Sequence, residues 1–258
     1  MERMNIEIMD TTLRDGEQMK DVSYTSNEKL SLARLLLEDV RVSRIEITSA
    51  RVSEGERKTA EAIIEWAKST HRVDQIEILG FVDKTKSVDW LHGVGCRNLN
   101  LLTKGSLNHL THQLRKTKEE HVQGIKETLD YAQKYDINTN IYLEDWSSGM
   151  RNSKDYVLYL LDELKDTCIK RFMLPDTLGI LYPSETKDMI SEISQLFPEL
   201  HFDFHGHNDY GLGTANSLAA IEGGAKGVHL TINGMGERAG NAPMASVVAV
   251  INDFLPEI

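Results

Sequence analysis

The feature that most constrains this chain is an eightfold alternation of short apolar-rich runs with longer amphipathic ones. Strand-like segments fall at 6–9, 44–47, 76–81, 98–102, 138–143, 171–174, 201–204 and 227–232. Helix-like segments follow them at 28–37, 57–68, 87–92, 119–134, 155–164, 184–196, 214–222 and 244–254, the third being the shortest. No low-complexity linker interrupts the series, and 258 residues suit one α/β domain covering 1–258. Eight strand–helix units in series predict a closed parallel (β/α)8 TIM barrel. On pattern alone the rival is an open doubly wound sheet.

Side-chain parity favours the barrel. Alternate residues of a strand face opposite sides. Ile45 and Ile47 share one face against Arg44 and Glu46; Ile76 and Ile78 oppose Glu77; Leu99 and Leu101 oppose Asn98 and Asn100. Ile141 and Leu143 oppose Asn138, Asn140, Tyr142 and Glu144. Phe202 and Phe204 oppose His201, Asp203 and His205, and Val228 and Leu230 oppose His229 and Thr231. Parallel strands of an open sheet are usually apolar on both faces. A barrel can gather the polar set around one axis, where its members pair instead of costing about 1–3 kcal/mol each as unpaired groups. The lower members (Glu7, Glu77, Asn98, Asn138, Asp203) are expected to form a structural network. Those at the carboxyl ends of strands lie where barrel sites are built.

The strongest local signal is the run His205-Gly206-His207-Asn208-Asp209 ending the seventh strand. Two histidines two apart on an extended chain point the same way, and two neutral imidazoles at a barrel mouth form a plausible divalent-metal pair. Asp15, in the segment Asp10-Thr11-Thr12-Leu13-Arg14-Asp15-Gly16-Glu17-Gln18 after the first strand, can complete the set with a carboxylate oxygen. Taken alone, its Asp-Gly pair would be an ordinary turn. Arg14 offers a fixed planar cation for a substrate carboxylate or an oxyanion. The glycine-rich loop 233–241 ends in Asn241, a further oxygen donor. Glu144, on the inward face at the end of the fifth strand, is the candidate acid/base carboxylate. The alternative is a structural carboxylate paired with a barrel arginine.

Other classes are bounded by composition. The net charge of −11 argues against nucleic acid and anionic membranes as general partners. No stretch reaches the length of a membrane span, and MERMNIEIMD has no signal-peptide core. Cys96 and Cys168 lie far apart without ligand spacing, so no disulfide is expected and a cytoplasmic setting is the default.

The segments DTTLRDGEQ at 10–18, IEITSARVS at 45–53, YLEDWSSGMRNS at 142–153, LPDTLG at 174–179, HGHNDYGLGTANSLAAIEGGA at 205–225 and NGMGERAGNAP at 233–243 occur in order across nearly the whole chain. Together they resemble the metal-dependent TIM-barrel superfamily of 2-isopropylmalate, homocitrate and citramalate synthases and HMG-CoA lyases. The resemblance implies a divalent metal (zinc, magnesium or manganese) held by Asp15, His205 and His207, with Asn241 as a fourth contact. It implies acetyl-CoA as co-substrate and a homodimer. A 2-oxo acid would chelate the metal, Arg14 would polarise its keto oxygen, Thr177 would bond its carboxylate, and Glu144 would help form the acetyl-CoA enolate.

Lyases of the superfamily typically carry a cysteine in the last glycine-rich loop, and NGMGERAGN has none, which favours a synthase. The sequences Gly80-Phe81-Val82-Asp83, IEITSARVS and NLNLLTKGS resemble the citramalate-synthase-like branch. Leu79, Leu102 and Tyr142, on the inward parity, are expected to line the oxo-acid pocket. An apolar lining argues against 2-oxoglutarate. Bulky leucines lean towards pyruvate (isoleucine synthesis), while the commonness of leucine synthesis in the resembled group puts 3-methyl-2-oxobutanoate marginally first, with an aldolase or lyase of the same barrel as the remoter alternative. Family synthases usually continue into linker subdomains and a regulatory domain. If these 258 residues are the whole protein, they are expected to bind metal and oxo acid with little turnover.

Overall fold

The structure is a computed structural model and describes residues 5–255. Its strands are β1 (Glu7–Asp10), β2 (Arg44–Ser49), β3 (Ile76–Phe81), β4 (Asn98–Lys104), β5 (Asn138–Glu144), β6 (Ile169–Asp176), β7 (Phe202–Gly206) and β8 (Gly227–Leu230). Each pairs in parallel with the next, and β8 pairs with β1 from Glu7↔Gly227 to Asp10↔Leu230, which closes the ring. The expected (β/α)8 barrel is what forms.

Local sequence starts and stops the helices. Thr25 and Glu28 make a reciprocal capping box on Ser26–Arg34, and Thr117 and Glu120 make another on Lys118–Gln133. Each satisfies amides that a helix start leaves bare. Gly95, at φ 81°, ends Lys86–Val94 in the left-handed conformation that glycine adopts without strain.

Parity divides the interior as expected. Ile45, Ile47, Ile76, Ile78, Leu99, Leu101, Ile141, Phe202, Phe204 and Val228 are buried beneath the helices in the main core. Burying a side chain of this size contributes about 1.5–3 kcal/mol, so this row clamps the helices to the wall. Inside the barrel a separate small cluster holds Met9, Leu79, Tyr142 and Met173, with Leu102 packed against it. Below that cluster Arg44 donates to Glu77 at 3.0 Å and to Asp203 at 2.6 Å, and its Nε lies 3.2 Å from Glu7. Asn138 donates to Asn98 at 3.1 Å.

The departures have local causes. β8 stops at Leu230 because Thr231 turns its hydroxyl to the Met235 carbonyl and a tight turn, Ile232–Gly234, begins. The first helix widens into a π-helical turn at Leu35–Val40. Two rim elements were not expected. Leu107–His109 runs into a π-helical turn at Leu110–Leu114, and Trp146–Asn152 forms a short helix. The latter is rich in serine and glycine, poor helix formers. Buried Trp146 and Met150 hold it in place. Both cysteines are free, and among the described residues no helix is long and apolar enough to cross a membrane.

Candidate metal centre

The loop after β1 is shaped by its own backbone. The amides of Arg14, Asp15 and Gly16 all donate to the Thr11 carbonyl, a tight coil that turns the Asp15 side chain back over the barrel mouth. Thr12 donates its amide and hydroxyl to Asp10, both at 2.9 Å, and its hydroxyl oxygen accepts the Ile232 amide. Loops one and eight are thereby tied together.

Across the rim, β7 delivers both imidazoles. His205 Nε2 lies 3.3 Å from His207 Nε2 and 3.3 Å from Asp15 Oδ2. One ligand atom from each of the three lies within 4.8 Å of the others, and all three residues are buried. Bonds of about 2.0–2.2 Å at octahedral or tetrahedral angles place neighbouring ligand atoms roughly 2.8–3.6 Å apart, so the spacing fits one cation. The chemistry of the donors agrees. Two imidazole nitrogens and a carboxylate oxygen, ligand types that suit a divalent cation, converge on one point.

Asn241 stands behind Asp15. Its Nδ2 donates to Asp15 Oδ1 at 3.1 Å and to the Met235 carbonyl at 3.0 Å, while its Oδ1 is buried without a hydrogen-bond partner. The amide nitrogen, not the expected oxygen, therefore faces the carboxylate; a half-turn of the amide exchanges the two. Loop eight reaches this close because of Gly236, where an added Cβ would fall 2.2 Å from Asn241 Nδ2.

The electrostatics follow from burial and Arg14. Burial acts to raise the Asp15 pKa, but the Arg14 charge and the neighbouring imidazoles outweigh it and hold the carboxyl far below its usual range. Burial is the main cause that lowers both histidines, His207 to about 4, which keeps their lone pairs available. Arg14 is fixed by Nε to Glu46 and by Nη1 to Asp15 at 3.1 Å. Its cation also sits 5.9 Å from the centre of the Tyr142 ring.

A cavity of about 270 Å³ opens above these groups, lined by Arg14, Asp15, Leu79, Leu102, Tyr142, Glu144, Thr177, His205 and His207. The structure thus brings every expected site residue except Asn241 to one cavity, and Asn241 to its edge. Thr177 Oγ1 accepts the Asp145 amide at 2.9 Å, which leaves its own proton free to donate. Glu144 is ion-paired, but with Lys104 on the neighbouring strand and not with an arginine.

Gln18, Ser49, Phe81, Pro175 and Glu237 also line the cavity and were not anticipated. Phe81 and Pro175 lie on the inward parity of β3 and β6 and could have been found that way. Ser49 could not. A register shift between Glu46 and Ser49 breaks the alternation of β2, and Thr48 instead bonds Glu56 on the following helix. Glu237 sits in a loop, where no periodicity applies.

A family described as HMGL-like matches residues 5–254. A homocitrate synthase of Saccharolobus islandicus is 34% identical over 96% of this chain and 53% of its own length. A 2-isopropylmalate synthase of Sulfurisphaera tokodaii is 34% identical over 97% of this chain and 63% of its own. The chain therefore spans between about half and two thirds of these relatives. The HMG-CoA lyase of Bacillus subtilis superposes with a TM-score of 0.81 at 20% identity, over 98% of this chain and 88% of that one, a likeness of fold.

Proposed function

The chain belongs to the HMGL-like family, and from that membership and the convergence of Asp15, His205 and His207 we propose that it binds a divalent cation and joins the acetyl group of acetyl-CoA to a short apolar 2-oxo acid. The observation that carries the reading is the 3.3 Å approach of His205 to both His207 and Asp15 at the mouth of a cavity. The cation, held by these three with Asn241 at its edge, would serve as Lewis acid and template for the oxo acid.

The chain's own groups do the rest. Arg14, held by Glu46 and Asp15, presents fixed positive charge where the keto oxygen becomes an alkoxide. Thr177 has a hydroxyl proton to give the substrate carboxylate. Glu144 stands beside Lys104 at the same rim, placed to orient or accept the proton lost from the acetyl methyl.

Substrate class follows from the floor. Leu79, Leu102 and Tyr142 are backed by Met9 and Met173, and among the described residues the one cation lining the cavity, Arg14, is already engaged by two carboxylates. A second substrate carboxylate finds no free partner there, which disfavours 2-oxoglutarate. Relatives named for homocitrate and for isopropylmalate are equally similar at 34%, so overall identity does not choose between them. We place 3-methyl-2-oxobutanoate first. The bulk of Leu79 and Leu102 supports pyruvate as the second reading, since one methylene shifts preference by roughly 1–3 kcal/mol. A lyase-type reaction is less favoured: Cys96 and Cys168 precede the N-terminal ends of β4 and β6, opposite the rim.

Thiol release from acetyl-CoA tests this, with pyruvate, 3-methyl-2-oxobutanoate and 2-oxoglutarate compared side by side in the presence of magnesium, manganese or zinc. Release is expected with a short apolar oxo acid and not with 2-oxoglutarate. Absence of oxo-acid-dependent release in the full-length protein refutes the reading.

A further inference from the structure

Tyr142 does more than line the cavity wall. It projects from β5, and β6 and β7 separate that strand from β8, yet its hydroxyl lies 3.0 Å from His229 Nδ1 on β8. The side chain therefore bridges the interior of the barrel. His229 Nε2 lies 3.2 Å from Asp203 Oδ2, and the same oxygen accepts Arg44 at 2.6 Å.

Proton placement along this chain follows from charge. Asp203 Oδ2 accepts from the Arg44 guanidinium, which marks it as a carboxylate. A carboxylate only accepts, so the single proton of an uncharged His229 ring belongs on Nε2. Nδ1 is then a bare acceptor, and the phenol proton must point to it. The tyrosine ring is left edge-on to His205 (6.1 Å between centres, 85° between planes) and to His229 (5.5 Å, 85°).

Its companions in that floor, Met9, Leu79 and Met173, are apolar side chains, the two methionines being flexible thioethers. Among the described residues, the hydrogen-bond partner of the Tyr142 hydroxyl is His229. We propose that His229, braced by Asp203, anchors the Tyr142 ring across the barrel as the rigid floor of the pocket, so that these two buried residues set which apolar oxo-acid side chain fits. They are positioning residues acting through Tyr142, and the selectivity claim rests on the oxo-acid reading above.

The test compares wild type with His229→Phe, which keeps a ring but no acceptor, His229→Gln, whose amide can accept from the phenol and donate to Asp203, and Tyr142→Phe. Calorimetric titration of the manganese-loaded proteins with pyruvate, 2-oxobutanoate and 3-methyl-2-oxobutanoate reads selectivity as a ratio of affinities. The spread of affinities is expected to shrink by about tenfold in His229→Phe and Tyr142→Phe and to recover in His229→Gln. In parallel, ¹⁵N spectra of the imidazoles, assigned by the signal missing from His229→Gln, are expected to show protonated Nε2 and bare Nδ1, with Nδ1 shifting in Tyr142→Phe.

A protonated Nδ1, or an Nδ1 signal indifferent to Tyr142→Phe, overturns the anchor. A wild-type spread of affinities retained in folded His229→Phe overturns the selectivity claim. If wild type binds none of the three acids, the oxo-acid reading fails and the selectivity claim with it, while the spectra still decide the anchor separately.

Discussion

Arg44 and the His205–His207 pair sit inside the same barrel, at different heights, and meet opposite surroundings. Around Arg44, carboxylates from three other strands, Glu7, Glu77 and Asp203, answer one guanidinium. At the rim His205 Nε2 lies 3.3 Å from both His207 Nε2 and Asp15 Oδ2, and Asn241 Oδ1 is buried without a hydrogen-bond partner. In the lower layer each of the three carboxylates meets the Arg44 guanidinium, although Arg44 Nε and Glu77 Oε2 lack hydrogen bonds. In the upper layer two imidazoles meet one carboxylate, already paired with Arg14, in a grouping that a divalent cation would bridge. Burial alone therefore does not separate a structural polar layer from a functional one; the grouping of ligand atoms does.

The largest expected effect breaks the lower layer. Arg44→Met leaves three carboxylates without their cation, and urea denaturation should show a loss of about 3–5 kcal/mol. The folded fraction should still bind metal. Next comes the rim. Asp15→Asn should weaken divalent-metal binding by at least about 100-fold in calorimetry. The wild type should gain about 2.7 kcal/mol of stability from metal at a hundred times its Kd, seen as a rise in Tm that the variant lacks.

A smaller effect is the acid limb of stability. The folded pKa of Asp203 is depressed, so its contribution is present above the unfolded value of about 3.9 and is lost as pH falls through the folded value. Wild type should therefore lose stability more steeply than Asp203→Asn below about pH 4. The smallest is Thr117→Ala, far from both layers, which removes one capping box and should cost about 1 kcal/mol without touching metal binding.

Much of this contrast could be read from the chain, because parity is a local rule and the barrel obeys it. Residues 44–46, 98–102 and 138–144 announced an apolar and a polar face, and both lie where the alternation put them. The rim set was legible because His205 and His207 share a parity and Asp15 follows the first strand. What escaped was decided by tertiary geometry. The shifted register of β2 turned Ser49 into the cavity. Lys104 came beside Glu144 through the pairing of β4 with β5, Lys104 opposite Glu144. The short helix Trp146–Asn152 is held by burial against its own weak propensity. The same limit applies to Lys29, which is fully buried on an amphipathic helix between Glu17 at 2.6 Å and Glu56 at 2.7 Å. Helical periodicity gives no sign that a lysine joins the turn after β1 to the start of the helix Glu54–Ser69.

The most direct test of the account is anomalous diffraction at the manganese or zinc edge from crystals of this protein grown with the metal. One peak is predicted within about 2.0–2.3 Å of Asp15 Oδ, His205 Nε2 and His207 Nε2 together. A peak elsewhere, or none at a metal concentration that raises Tm, contradicts it.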